Sequence, residues 1–462
     1  MPKVSFIEAC SPGAHIFSRF PIPRLGTVLL GTILKERGFA VKVFIEDVSD
    51  IDWGFIKSSD IVGISSITST APRAYLLADK VRSMGKKVIL GGAHPTFMPE
   101  EALSHSDVVV RGEADHIIEP LVSYLLTKSP DIGSIKGISY KDSSGRIIHN
   151  PKSDFINDLD SLPTPDLTLV HNFKASNIYP ISTSRGCPYD CKFCSVIQMF
   201  GRRYRYRSVE KTLRDIEIAN SFNSGTKFFV DDNFTANKQR TKEILRGMLR
   251  EGIKTHWSAQ VRIDIAKDPE LLRLMAESGC NTLYIGFESI NPETLKLYNK
   301  KQSLEDIKYG IRKIQDFGIH IHGMFVLGAD TDDIETIRNT ASFASRLGID
   351  TIQFMILTPL PGTPFYTEMV QSERLIHRDW SKYDAHHVVF KPLRLTPLEL
   401  QIETIKAMSR FYSWKYIIKN LLKLKWFYAG VGVYGKNTIK TALKEIRQYI
   451  KEYHIKDIEF NK

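Results

Sequence analysis

Three cysteines, Cys187, Cys191 and Cys194, fall within eight residues in the segment STSRGCPYDCKFCSV, at the spacing C-x3-C-x2-C. Thiolates on one short loop are soft donors suited to the irons of an iron–sulfur cluster. A [4Fe-4S] cube ordinarily takes four ligands, and no fourth is close by. The nearest histidines are His171 and His256, and the other two cysteines, Cys10 and Cys280, lie far away in sequence. One iron would stay open for a substrate or cofactor. The competing reading is zinc, which usually takes four protein ligands in paired arrangements; that pairing is missing. Five cysteines in 462 residues do not make a disulfide framework and suit a metal site in a reducing compartment.

The elements that must hold this loop are legible as strand–helix units. The cysteines directly follow a predicted strand, Tyr179–Thr183, and further strands are predicted at Lys227–Val230, His256–Val261, Thr282–Phe287, His320–Leu327 and Thr351–Leu357. Helical periodicity lies between them, as at Val209–Asn220, Pro269–Ser278 and Asp332–Leu347. Six such units predict an incomplete parallel (β/α)6 barrel with its reactive groups at the C-terminal strand ends. Ahead of it, strands at Lys3–Ile7, Val41–Ile45, Ile61–Ser65, Lys87–Leu90 and Val108–Val110 alternate with helices at Leu25–Arg37 and Ala71–Met84, a doubly wound α/β pattern. The stretch HNPKSDFINDLDSLPTPD, rich in proline and aspartate and without a sustained period, reads as a connection. After about Lys391 the pattern turns helical, starting at Thr396-Pro397. The predicted domains are therefore 1–146, a linker 147–177, a barrel 178–390 and a helical extension 391–462.

Apolar content of 42% with 25% charge is that of a globular protein. The longest apolar runs, such as Phe325–Leu327 and Phe354–Leu357, are far short of the ~20 residues a membrane span needs. The opening MPKVSFIEA reads as a strand rather than a signal peptide, so a cytoplasmic location is expected. Of the net charge of +11, the tail from Ile405 to Lys462 carries +9, from 13 Lys/Arg against 4 Asp/Glu. Within it FYSWKYIIKNLLKLKWFY, Phe411 to Tyr428, places lysines beside an apolar face at helical spacing. The reading preferred from sequence is a helix that closes the open barrel with its lysines reaching water; the second is an interfacial helix in peripheral contact with anionic lipid. No nucleic-acid module is evident, and the first strand is not followed by a dinucleotide-binding G-x-G-x-x-G.

The cysteine loop after the first barrel strand resembles that of the radical S-adenosylmethionine (SAM) superfamily, a resemblance covering about Ile178 to Lys391. It implies that the amine and carboxylate of SAM chelate the open iron. It also implies roles for residues at successive strand ends. Phe193 resembles the aromatic near the adenine, and Asp232, within Asp231-Asp232-Asn233-Phe234, belongs to a segment resembling the one that receives the methionyl amine. Gln260 and Arg262 stand in a segment resembling the one that approaches the SAM carboxylate. Glu288, in YIGFES, resembles a ribose-contacting glutamate, and Gly323 to Gly328 resembles the fifth-strand motif. Read without the resemblance, an aspartate pair at a strand end is as often a helix cap, Glu288 a surface charge, and Arg262 a partner of Asp264 or Asp232.

A doubly wound domain ahead of such a barrel resembles the cobalamin-binding, class B layout. The resemblance assigns to the cofactor's tail Ser65, Ser66 and Thr68, then Gly91 and Gly92, then Gly112 and Glu113. The D-x-H-x-x-G signature that supplies a cobalt-ligating histidine in other cobalamin proteins is missing, and His94 is read as lining the tail pocket or facing solvent. In the tail, the DWxxYD segment at Asp379–Asp384 and FYS at Phe411–Ser413 are loosely similar to the hopanoid methylases. The expected cofactors are a [4Fe-4S] cluster, SAM and cobalamin. The expected activity is SAM cleavage to a 5′-deoxyadenosyl radical with methylation of an unactivated carbon of a small or lipid-like substrate. An external low-potential donor such as ferredoxin or flavodoxin would supply the electron. The alternatives are radical ring closure, oxidation or carbon–carbon coupling without methyl transfer, and a non-catalytic iron–sulfur scaffold. No catalytic side chain is assigned.

Overall fold

A computed structural model describes residues 1–10, 13, 22–174, 178–222 and 225–457. The chain forms two compact units, the first drawn mainly from residues 1–225 and the second from 226–462 together with Asp190–Cys194 of the cysteine loop.

In the first unit the elements run β1 (Lys3–Glu8), α1 (Leu25–Glu36), β2 (Ala40–Ile45), α2 (Trp53–Ser58), β3 (Ile61–Ser65), α3 (Ala71–Ser83), β4 (Lys87–Gly91), α4 (Ala93–Phe97), α5 (Pro99–Ala102), β5 (Val108–Val110), α6 (Ile118–Thr127), β6 (Ile138–Lys141) and β7 (Ile147–His149). The sheet order is β2-β1-β3-β4-β5-β6-β7. The first five strands are parallel, and all but the half-buried edge strand β2 are mostly buried, as strands covered by helices on both faces must be. Val62, Ile64, Val88, Leu90 and Val109 pack into one core with Ala74, Leu77, Ala78 and Val81 of α3. Gly63 is required in that core: a Cβ there would meet the Phe6 ring at 2.7 Å. Neighbours β2 and β3 lie on opposite sides of β1, so the winding reverses there and leaves a crevice outside the strand ends, where such sheets bind ligands.

The antiparallel strands β6 and β7 are a correction to the sequence reading, because β7 extends the sheet into the segment expected to be a connection. The cause is local. Asp142 accepts from the backbone N–H groups of Ser144 (2.9 Å) and Arg146 (3.0 Å), and Gly145 takes a φ of +82°, so a tight turn folds Ile147–His149 back on Ile138–Lys141.

Four short elements and one longer helix follow in the chain: β8 (Tyr179–Ile181), β9 (Ser184–Arg185), α7 (Val196–Phe200), β10 (Arg205–Tyr206) and α8 (Val209–Phe222). The second unit holds β11 (Lys227–Phe229), α9 (Lys238–Arg250), β12 (Trp257–Val261), α10 (Pro269–Glu277), β13 (Cys280–Glu288), α11 (Pro292–Leu297), α12 (Leu304–Asp316), β14 (His320–Leu327), α13 (Ile334–Arg346), β15 (Thr351–Ile356) and α14 (Pro364–Gln371). Strands β11 to β15 pair in sequence order, all parallel. All six predicted barrel strands are present, with ends moved by a residue or two.

The extension holds α15 (Pro397–Phe411), α16 (Trp414–Leu422) and α17 (Trp426–Glu452). Thr396 and Glu399 cap α15 reciprocally ahead of Pro397, as the sequence predicts. Tyr412, fully buried, accepts from the Ile352 N–H and donates to the Ile352 carbonyl, both at 2.9 Å, which occupies the backbone groups on the outer side of β15. The end of α15 thus closes the sheet edge, as the preferred reading of this region expects. The segment Phe411–Tyr428 is not one helix, however. It breaks at Lys423–Lys425, where Leu424 has a φ of +55°. The last residues of the predicted extension, 458–462, lie outside the described residues.

Candidate functional site

The cysteine loop starts on a backbone that only glycine tolerates. Gly186 has a φ of +84°, and a Cβ there would lie 2.5 Å from the Arg203 carbonyl and 3.0 Å from that of Gly201. The antiparallel β9–β10 pair closes on this glycine, and the Cys187 N–H donates to the Gly201 carbonyl at 3.4 Å. The later half of the loop is held by residues of the second unit. The Asn299 amide donates to the Asp190 carbonyl (3.3 Å), the Phe365 N–H donates to that of Lys192 (3.3 Å), and Phe193 stands edge-on to Tyr298 at 4.9 Å. The Cys194 N–H donates to the Cys191 carbonyl at 3.0 Å, forming a tight turn between the two thiols.

All three cysteines are half-buried, and none of the five in the chain is in a disulfide. Burial pushes the Cys191 thiol above its ordinary pKa, while the cations of Lys300 and Arg262 oppose that rise. Among the described residues no three His, Cys, Asp or Glu side chains are drawn together as a metal shell. The fit to an iron–sulfur cluster therefore stands on the donor set: three thiols in one short, backbone-pinned loop.

The strand ends of the second unit separate the residues of each motif by burial. In Asp231-Asp232-Asn233-Phe234, after β11, three side chains turn inward, and Phe234 stacks on Phe229 at 4.4 Å. Asp232 alone is open to solvent, yet it is crowded by protein. Desolvation, reinforced by Asp231, pushes its pKa up to about 7. After β12, Gln260 is part-exposed and Arg262 buried, whereas Trp257 is a core residue with its indole N–H on the Ser278 carbonyl at 3.1 Å.

Glu288 is not a surface charge. It is 7% exposed, sits beyond a register shift at the end of β13 with a φ of +62°, and pairs with Lys300 at 2.8 Å. A non-glycine residue in that conformation is strained and persists only where its surroundings hold it. Lys300 also donates to the Gly286 carbonyl at 3.2 Å. Asp264, one partner considered for Arg262, stands 3.2 Å from the Lys238 ammonium. In the Gly323–Gly328 motif, Gly328 has a φ of +102°, and a Cβ there would meet Leu400 at 2.5 Å.

Several residues of this site carry no sequence signal. Lys300 and Asn299 lie in YNKKQS, which reads as an ordinary polar turn. Asp332 is buried and accepts from the N–H groups of Gly328 (3.0 Å) and Ala329 (3.1 Å) and from the Thr294 hydroxyl (2.8 Å), holding the turn after β14. Its burial raises its pKa to about 6.

In the first unit, the residues after β3 and β4 form a close-fitting notch. Gly92 has a φ of +96°, and a Cβ there would lie 2.5 Å from the Ser66 carbonyl and 3.0 Å from the Ser65 hydroxyl. The Ser66 hydroxyl is buried with no hydrogen-bond partner, and an unmet buried hydroxyl marks where a ligand's polar group fits. Thr68 is buried one turn on, and the Ser66 N–H donates to the Gly91 carbonyl at 3.1 Å. Gly112, at a φ of +85°, faces open space and donates its N–H to the Thr96 hydroxyl at 3.0 Å. These residues fit a bulky ligand tail held by hydroxyl and backbone groups.

Two expectations in this region change. Glu113 pairs with Arg205 at 2.7 and 2.9 Å and accepts from the Ile156 N–H at 3.0 Å, so its carboxylate joins segments of the chain and leaves the ligand-facing set. His94 does not face solvent: it is fully buried within α4, with Nε2 3.3 Å from the Glu101 carboxylate.

Comparison with known proteins bears on both halves of the chain. Residues 181–344 match the model of the radical SAM superfamily, and residues 18–122 match that of the B12 binding domain. An uncharacterized methyltransferase of Pyrococcus horikoshii is 32% identical over 408 residues, 84% of this chain and 88% of that protein. The bacteriochlorophyllide d C-12(1)-methyltransferase of Chlorobaculum tepidum is 30% identical, over 87% of this chain and 86% of that protein. The radical SAM methyltransferase TsrM of Kitasatospora setae, solved with cobalamin and a [4Fe-4S] cluster bound, shares the fold with a TM-score of 0.72 at 17% identity, covering 96% of this chain and all of that one. The chain belongs to the radical SAM methyltransferases that carry a cobalamin-binding domain ahead of the radical SAM domain, and its cofactors are a [4Fe-4S] cluster, SAM and cobalamin.

Proposed function

We propose that the chain methylates an unactivated carbon of an apolar small-molecule or lipid-like substrate, a polycyclic ring system such as a tetrapyrrole being the first to try. When bound, the cluster supplies the electron that cleaves SAM to methionine and a 5′-deoxyadenosyl radical, and cobalamin carries the methyl group. We assign the cluster to Cys187, Cys191 and Cys194. Asp232 receives the SAM amine, Gln260 and Arg262 approach its carboxylate, Glu288 the ribose, and Phe193 packs by the adenine. Lys300 keeps the Glu288 carboxylate oriented through its 2.8 Å contact. Ser65, Ser66, Thr68, Gly91, Gly92 and Gly112 take the cobalamin tail. The domain limits that follow are those predicted from the sequence, with the first sheet reaching His149. A low-potential one-electron donor of ferredoxin or flavodoxin type is the partner this chemistry needs.

The observation that carries this reading is the strained, buried Glu288–Lys300 pair at the strand end whose charges reach Cys191. The test is anaerobic reconstitution with iron, sulfide, cobalamin, SAM and a low-potential reductant, with nucleosides resolved by chromatography. Offered a tetrapyrrole or polycyclic lipid, the enzyme should yield both 5′-deoxyadenosine and S-adenosylhomocysteine. 5′-Deoxyadenosine without S-adenosylhomocysteine would move the assignment to radical chemistry without methyl transfer. Unchanged SAM cleavage after replacing all three cysteines by alanine would end it.

A further inference from the structure

Within the fourteen residues 414–427, seven large apolar side chains are exposed: Trp414 (63%), Ile418 (54%), Leu421 (38%), Leu422 (81%), Leu424 (72%), Trp426 (66%) and Phe427 (64%). The first four recur at helical spacing on the outer stripe of α16, and the last three form the turn into α17. The inner stripe is used: Ile417 is buried, and the Tyr416 hydroxyl donates to the Asp350 carbonyl at 2.5 Å. Gly432 lets the two helices close, since a Cβ there would meet Ile417 at 2.8 Å and Tyr416 at 2.9 Å. Lys425 pairs with Asp350 at 3.1 Å, and the Tyr428 ring lies 4.9 Å from that of His320. The hairpin is therefore fixed at the N-terminal ends of β14 and β15, the end of the strands away from the candidate site.

Charge around this apolar tip has one sign. Between Glu403 and Glu445 there is no acidic residue, and there are nine Lys or Arg. Lys415, Lys419 and Lys423 are exposed on α16 beside the apolar stripe, and Lys436 sits 5.2 Å over the Trp414 ring. Lysine is depleted at protein–protein interfaces. Lysine flanking exposed Trp, Phe and Leu is the composition of helices that lie in the headgroup region of anionic membranes. None of the helices among the described residues is long and apolar enough to cross a bilayer, so such contact would be in the plane of the interface.

We propose that the α16–α17 turn is a membrane-docking surface for anionic lipid, with Trp414, Leu422, Trp426 and Phe427 entering the interface and Lys415, Lys419 and Lys423 contacting headgroups. This goes beyond the catalytic reading and does not depend on it. The test is co-sedimentation of the full chain with vesicles of phosphatidylcholine alone and of phosphatidylcholine mixed with phosphatidylglycerol, read also by the blue shift of tryptophan emission. Binding should require phosphatidylglycerol and weaken with salt. The triple variant Lys415→Glu, Lys419→Glu, Lys423→Glu should weaken it by roughly a hundredfold. The variant Leu422→Ser, Trp426→Ser, Phe427→Ser should abolish both sedimentation and blue shift while keeping the wild-type melting temperature, because these side chains are already exposed. Three results would overturn the proposal: no binding to either vesicle, equal and salt-independent binding to both, or a wild-type dimer in solution that the Ser variant converts to monomer.

Discussion

The strand ends of the two units are built from different materials. In the first, the notch after β3 and β4 is made of backbone and hydroxyl groups: Gly92 pressed against the Ser66 carbonyl, an unmet Ser66 hydroxyl, and the open Gly112. Its one assigned carboxylate, Glu113, is neutralised by Arg205. In the second, the corresponding positions carry charge: Asp232 open to solvent, Arg262 buried, Glu288 locked to Lys300. A neutral cradle suits a large ligand held by shape and many hydrogen bonds. Opposed charges suit a small zwitterion whose amine and carboxylate each need a counter-charge. The two regions should therefore fail differently when damaged.

The largest effect is expected at the cysteines. Replacing Cys187, Cys191 and Cys194 by alanine should bring 5′-deoxyadenosine formation to background and remove bound iron, with corrinoid content unchanged; a parallel loss of corrinoid would mean the two regions are not separable. Next is Lys300→Met, which leaves the Glu288 carboxylate buried without its partner. Breaking one side of such a pair costs ~3–5 kcal/mol, measurable by denaturant unfolding, and Lys300→Arg should restore part of it. Gly92→Ala should cost ~1–3 kcal/mol through backbone strain and lower corrinoid retention while sparing bound iron, the converse of the cysteine variant.

The smallest effect is a pH dependence. Asp232 has a folded pKa of about 7 against an ordinary 3.8. Between those values the folded chain keeps a proton that the unfolded chain releases, so its contribution to stability is full below the lower value and is lost as pH rises toward about 7. Asp232→Asn should flatten that part of the melting-temperature profile. The carboxylate must ionise to receive an amine, so the KM for SAM should rise as pH falls below about 7, and the Asn variant should lack this trend.

The strands were legible because parallel strands buried on both faces are nearly unbroken apolar runs, as in Val108–Val110 and the Met324–Leu327 end of β14. The β6–β7 hairpin was not, because its short strands are only partly apolar and its turn depends on one aspartate. The tail was half-legible. Its alternation of lysine and apolar residues predicts a two-faced helix, and both faces proved to be used or displayed: Tyr412 on the sheet edge, Trp426 and Phe427 in solvent.

The sequence by itself determined the donor set, since three thiols at C-x3-C-x2-C suit the same chemistry wherever the loop sits, and it determined the order of strand–helix units, since periodicity is local. Tertiary structure decided which member of each motif faces outward. It left Asp232 open and buried Asp231, paired Glu288 with Lys300 twelve residues further along the chain, and turned Glu113 to Arg205. Those outcomes depend on residues distant in sequence meeting at one point, and no local pattern encodes that meeting.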